Sequence, residues 1–148
     1  MAGIQSRAYV SWNGDLFNGS GLVRVESGAI PEQPITWASR TQRAQGKTSP
    51  EELIAAAHAG CYAMALSNTL AKQGTPPNRL EVTATATFEK VAEGFRITTM
   101  ELDVQGVVPG LDQQGFQAAA IKGEQGCPVS NALRNNVNIL VKAQLLPE

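Results

Sequence analysis

The chain has 148 residues, 12 basic against 13 acidic side chains, and 43% hydrophobic residues. That length and apolar content suit one domain with a genuine core, so residues 1–148 are read as a single domain. Balanced charge leaves no basic surplus for nucleic acid, and two widely spaced cysteines with one histidine give no zinc signature. The N-terminus lacks the apolar stretch of a secretory signal. The apolar run Leu53–Leu66 is shorter than the roughly 20 residues that a bilayer span requires. The expectation is a cytoplasmic protein with no membrane or nucleic-acid partner, where a permanent structural disulfide is out of place.

In chain order, Arg7–Trp12 and Gly21–Glu26 are short alternating runs separated by turn-rich Asn13-Gly-Asp and Asn18-Gly-Ser-Gly, and they read as strands. From Ser27 to Lys47, Pro31, Pro34 and Gly46 punctuate what reads as one long irregular connection. Ser49-Pro50-Glu51-Glu52 then starts a helix: Ser49 as N-cap, Pro50 at the first helical position, Glu52 closing a capping box. That helix runs to about Gln73, where Gly74 and Pro76-Pro77 end it. Leu80–Lys90 alternates cleanly, and Phe95–Gln105 returns as its partner, with a slip near Thr98-Thr99-Met100 that predicts a bulge. Asp112 caps a further helix, a short helix follows Cys127-Pro128, and Val137–Leu145 closes as a strand. The order predicts an α+β fold built on antiparallel sheet.

From Leu53 to Leu70 the long helix is apolar or small nearly all round, broken mainly by His58, Ser67 and Asn68. Such a helix is buried on all sides. A domain of this size has too few other elements to cover it, so a homodimer with two such helices at its centre is expected.

Cys61 lies mid-helix, where the helix dipole does little for it. Burial alone would leave an unreactive thiol, so a cation from elsewhere is needed to make it a nucleophile. Cys127, before Pro128, meets free backbone N–H groups that favour a thiolate, which ranks it as the more acidic of the two. The pair is the minimum for a peroxide-reducing or redox-sensing protein, yet both thiols could equally be core filler. His58, one helical turn before Cys61, could assist it; a buried histidine bonded to backbone is the plainer reading. Arg40 and Arg43 read as solvated loop charges, and Glu51 with Glu52 as ordinary first-turn acids.

The stretch Thr48-Ser-Pro-Glu-Glu-Leu-Ile-Ala-Ala-Ala-His-Ala-Gly-Cys61 resembles the reactive-cysteine helix of the OsmC/Ohr family, the osmotically induced and organic-hydroperoxide-resistance proteins. Gly126-Cys-Pro-Val-Ser130 looks like the family's second cysteine motif. Trp12-Asn-Gly-Asp, Glu26-Ser-Gly28 and Trp37-Ala-Ser-Arg40 lean towards the OsmC branch. The resemblance implies an intertwined homodimer on an OsmC-like fold that reduces hydroperoxides in the response to oxidative or osmotic stress. In it Cys61 is the peroxidatic thiol and Cys127 the resolving one, which reverses the ranking by dipole. An arginine held by a glutamate would stabilise the thiolate, and the matching residues are Arg40 and Glu51, with Arg43 left open by the spacing. No cofactor or metal is implied; an external dithiol or lipoyl-type reductant closes the cycle. The apolar surroundings of Cys61 favour organic hydroperoxides over hydrogen peroxide. A non-catalytic redox sensor or small-ligand-binding dimer on the same fold is the alternative. Ten residues of helix put Glu51 about 15 Å from Cys61 along the axis. Either the arginine spans that gap or Glu51 serves Cys61 of the partner subunit, which points to a site at the dimer interface.

Overall fold

The computed structural model describes residues 1–42 and 46–148, so Arg43 lies outside the described residues. The chain forms two compact units, Met1–Leu53 and Ile54–Glu148.

The first unit carries a three-stranded antiparallel sheet in the order β1 (Ala8–Asn13), β2 (Ser20–Val25), β3 (Gln33–Ile35). The β1–β2 turn follows from Gly14, at φ +90°, and from Asp15. The Asp15 carboxylate accepts the N–H groups of Phe17 at 2.9 Å and Asn18 at 3.0 Å, which holds it below the usual carboxylate range. After β3 comes a short helix, α1 (Trp37–Thr41). Its start is a reciprocal cap: Ser39 N–H donates to Thr36 Oγ1 at 3.0 Å, and Thr36 N–H to Ser39 Oγ at 2.9 Å. The expected irregular connection therefore contains both β3 and α1. Elements of three and five residues are too short to show a period, and a serine stands where the capping box ordinarily has Glu or Gln.

Helix α2 (Pro50–Lys72) begins as expected, with Glu52 N–H donating to Ser49 Oγ at 3.1 Å. The Glu52 carboxylate turns instead to the Thr48 hydroxyl, 2.9 Å away. The helix ends at Gly74 (φ +85°), where Thr75 N–H reaches back to the Leu70 carbonyl at 3.0 Å.

In the second unit, β4 (Arg79–Val91) and β5 (Gly94–Val107) form a long antiparallel hairpin. Thr98 is its unpaired extra residue: Thr87 faces Thr99 while Phe88 faces Ile97, so the predicted bulge is present. Helices α3 (Gln113–Gln125) and α4 (Pro128–Leu133) follow, and β6 (Asn138–Leu145) then joins β5 in parallel. That parallel pairing departs from an otherwise antiparallel α+β fold. The crossover through α3 and α4 is long enough to return the chain to the same end of the sheet.

The core of this unit packs Tyr62, Leu66 and Leu70 of α2 against Leu102, Val104, Val108, Phe116, Ala119, Ala120 and Cys127. His58, Tyr62, Leu66 and Leu70 recur every four residues and are all fully buried, the spacing of one helix face. The opposite stripe, Ala56, Gly60, Met64, Asn68 and Ala71, is exposed. Within one chain, then, α2 is covered on one face only. Among the described residues no helix is long and apolar enough to cross a membrane.

Candidate active site

Arg40 and Glu51 lie in the first unit, Cys61 and Cys127 in the second. In the first, Arg40 is not a loop charge: it lies in the last turn of α1, and its Nε donates to Glu51 Oε1 at 2.8 Å. Glu51 is only 6% exposed, and its second carboxylate oxygen is buried without a hydrogen-bond donor among the described residues. A carboxylate so enclosed needs its cation, because an unpaired buried charge is costly. Glu51 is thus more than a first-turn acid, and the α1 cap at Thr36 and Ser39 fixes where its arginine starts.

In the second unit, Cys61 and Cys127 are both reduced thiols, Cys61 half-buried and Cys127 fully buried. Cys61 packs against the core cluster that contains Cys127, near enough for Cys127 to influence its ionisation. Cys127 is the N-cap of α4, with Pro128 next to it, as the sequence predicts. Its sulfur accepts the Ser130 N–H at 3.5 Å. The intervening residue, Val129, packs against the same core cluster as Cys61, and its backbone N–H favours the Cys61 thiolate. Burial pushes the Cys61 thiol up; the Val129 N–H opposes this, while the nearby Cys127 side chain adds to it. The need for outside help at Cys61 therefore holds in the folded chain.

His58 is fully buried, and its partner is a side chain rather than backbone: Nε2 and Ser130 Oγ are 2.7 Å apart. Its Nδ1 is buried without a hydrogen-bond partner among the described residues. Burial holds the imidazole below the usual histidine range, and the Glu124 carboxylate partly offsets this. Glu124, itself buried, pairs with Arg134 at 3.0 Å. Tyr62 donates its hydroxyl to the Ala120 carbonyl at 2.9 Å, and burial pushes that phenol well above its usual range.

Sequence reasoning missed Val129, Ser130, Glu124 and Arg134. Only Ser130, three residues after a capping cysteine, had a local signal. Among the described residues no cluster of three His, Cys, Asp or Glu side chains could hold a metal ion. An open groove of about 500 Å³ lies between Met64 and Asn68 of α2 and Pro77–Leu80, and neither cysteine lines it.

The OsmC-like protein model matches residues 43–142. The chain is 39% identical over 136 residues to Peroxiredoxin OsmC of Escherichia coli (strain K12), covering 92% of this chain and 94% of that protein. It is 30% identical over 93 residues to the organic hydroperoxide resistance protein of Xanthomonas axonopodis pv. citri (strain 306), covering 62% and 63%. The crystal structure of organic hydroperoxide resistance protein OhrB of Bacillus subtilis superposes with a TM-score of 0.72 at 25% identity, over 93% of this chain and 98% of that one. An organic hydroperoxide resistance protein from Elizabethkingia anophelis shares the fold, with a TM-score of 0.75 at 22% identity over 99% and 100% of the two chains. With both cysteine motifs in place on the matching fold, this chain belongs to the OsmC-like protein family.

Proposed function

We propose that the protein is a thiol-dependent peroxidase that reduces organic hydroperoxides, and hydrogen peroxide less well, in the cytoplasm. The observation that carries this reading is that Cys61 of α2 packs against the core cluster containing Cys127, the N-cap of α4. The Cys61 thiolate attacks the distal peroxide oxygen, the O–O bond breaks, and the alcohol leaves with a proton. Cys61 is then a sulfenic acid. Cys127 attacks its sulfur, the S–O bond breaks, and water departs as the Cys61–Cys127 disulfide forms. An external dithiol or lipoyl-type reductant returns both thiols. No bound cofactor is needed.

Arg40, fixed by Glu51, supplies the charge that holds Cys61 as a thiolate, since arginine does not deprotonate. The working unit is a homodimer whose sites lie where the chains meet, so the arginine pair of one subunit can serve a thiol of the other. Relatives named as a peroxiredoxin and as an organic hydroperoxide resistance protein support the reaction class.

Dithiol-dependent turnover with tert-butyl hydroperoxide and with hydrogen peroxide tests the reading on wild type, Cys61→Ser, Cys127→Ser and Arg40→Ala. Cys61→Ser abolishes turnover, Arg40→Ala lowers it by about 100-fold or more, and Cys127→Ser oxidises once and stalls. No Cys61–Cys127 disulfide by mass spectrometry after one equivalent of peroxide would sink the reading. A disulfide without steady-state turnover would indicate a sensor instead.

A further inference from the structure

We propose that His58 is a positioning residue for the resolving thiol: through Ser130 it anchors the first turn of α4, so that the Cys127 sulfur faces the Cys61 sulfur when Cys61 is oxidised. The inference rests on the peroxidase reading for its biological meaning and on geometry for its substance. Four groups connect α2 with α4. The His58 imidazole, on α2, shares a 2.7 Å hydrogen bond with the side chain of Ser130, on α4. Ser130 donates its backbone N–H to the Cys127 sulfur at 3.5 Å. Cys61, back on α2 one turn beyond His58, packs against the core cluster that holds Cys127.

Helix α4 has six residues and a sulfur for its N-cap. So short a helix has little stability of its own, and sulfur is a weak acceptor. Something else must fix its first turn, and the buried His58–Ser130 bond does so. An apolar side chain would fill the same volume without burying an unpartnered Nδ1, which carries a desolvation penalty. What the imidazole adds is the bond to Ser130.

The step it serves is the attack of the Cys127 thiolate on the Cys61 sulfenic sulfur. The S–O bond breaks, the departing hydroxide takes up the proton that Cys127 gave up, and the two sulfurs share the new bond. Such a displacement depends on alignment, and a misplacement of about 1 Å can cost on the order of 100-fold.

The test compares wild type with Ser130→Ala, His58→Leu and His58→Gln, the last keeping a polar group within reach of Ser130. After one equivalent of tert-butyl hydroperoxide, dimedone trapping follows the Cys61 sulfenic acid and mass spectrometry follows the disulfide. Sulfenic acid forms at the wild-type rate in all four, whereas disulfide closure slows about tenfold or more in Ser130→Ala and His58→Leu. His58→Gln recovers most of the loss. Closure is also measured with diamide, which takes up the two electrons of the thiol pair and is reduced to the hydrazine, so the comparison does not depend on peroxide. Wild type that closes with diamide but ignores peroxide overturns the peroxidase reading alone. Closure within twofold of wild type in both Ser130→Ala and His58→Leu, or no recovery in His58→Gln, overturns the positioning role. Should His58→Leu fail to fold, Ser130→Ala and His58→Gln decide the matter.

Discussion

Ser130 directs its backbone N–H at the Cys127 sulfur, 3.5 Å away, while its hydroxyl lies 2.7 Å from the His58 imidazole on a different helix. One of the first-turn N–H groups of α4, which have no partners within their own helix, is thus taken up by the Cys127 sulfur. The opposing influences at Cys61 are burial, which raises its pKa, and the Cys127 side chain, which raises it further. Removing that side chain should therefore lower it. In Cys127→Ala, iodoacetamide alkylation of Cys61 at neutral pH becomes several-fold faster, and its pH midpoint moves down from that of wild type. Peptide mass spectrometry across a pH series reads both. A midpoint that stays put or rises would show that Cys127 does not hinder ionisation of Cys61.

The long elements were legible because their signals are local. Ser49-Pro50 starts α2, Gly74 ends it, the alternation of β4 is uninterrupted, and the slip at Thr98 marks an actual bulge. Helix α1 was not legible, although Thr36 and Ser39 cap it, since five residues show no period. The direction of β6 leaves no trace in its alternation, so its parallel pairing could not be read. At the site, Cys61 receives no benefit from its own helix dipole, as argued from its mid-helix position. What lowers its pKa, the Val129 N–H of α4, comes from tertiary packing that no spacing encodes and is outweighed by burial. The His58–Ser130 and Glu124–Arg134 partnerships are invisible for the same reason.

His58 makes a pH prediction. Its folded-state pKa is depressed chiefly by burial, with Glu124 pulling back, so the folded chain favours the neutral imidazole. The unfolded chain takes up a proton near the ordinary value of 6.5. Stability from this group is therefore fully present above that value and is lost as pH falls below it towards the folded pKa. Urea denaturation between about pH 7.5 and 5.5 should show wild type losing stability more steeply than His58→Gln, which has nothing to protonate. Equal slopes would mean that the imidazole accepts its proton in place, without a penalty.

Gly123 makes a packing prediction. A Cβ there would lie 3.0 Å from the Leu66 Cα and 3.2 Å from its Cβ, so α3 rests directly on the backbone of α2. Helix propensity alone favours alanine by about 0.5–1 kcal/mol. The obstructing atom belongs to the main chain and cannot rotate away, so the helices must separate. They also share the hydrogen bond from Tyr62 to the Ala120 carbonyl. Gly123→Ala is expected to destabilise by about 1–3 kcal/mol despite its propensity. A midpoint in urea at or above that of wild type would show that α3 shifts freely.

The exposed faces predict assembly. Met64 is 71% exposed on the stripe that Ala56, Gly60, Asn68 and Ala71 complete, and all six residues of β1, including Tyr9 and Trp12, are open to solvent. Small residues along a helix let a second helix approach closely, and an apolar stripe left in water is unfavourable by about 25 cal/mol per Å². A second copy of the chain laid along α2 would cover the stripe on both chains at once, as a two-fold interface requires. Light scattering after size exclusion should give twice the chain mass for wild type. Met64→Glu places a carboxylate in each half of that interface, so its mass falls towards one chain at micromolar concentration. Peroxidase turnover per chain should fall with it, because the Arg40–Glu51 pair and the thiols are proposed to meet across the interface. A Met64→Glu monomer with full turnover would place the whole site within one chain; a wild type of single-chain mass would leave the open face of α2 unexplained.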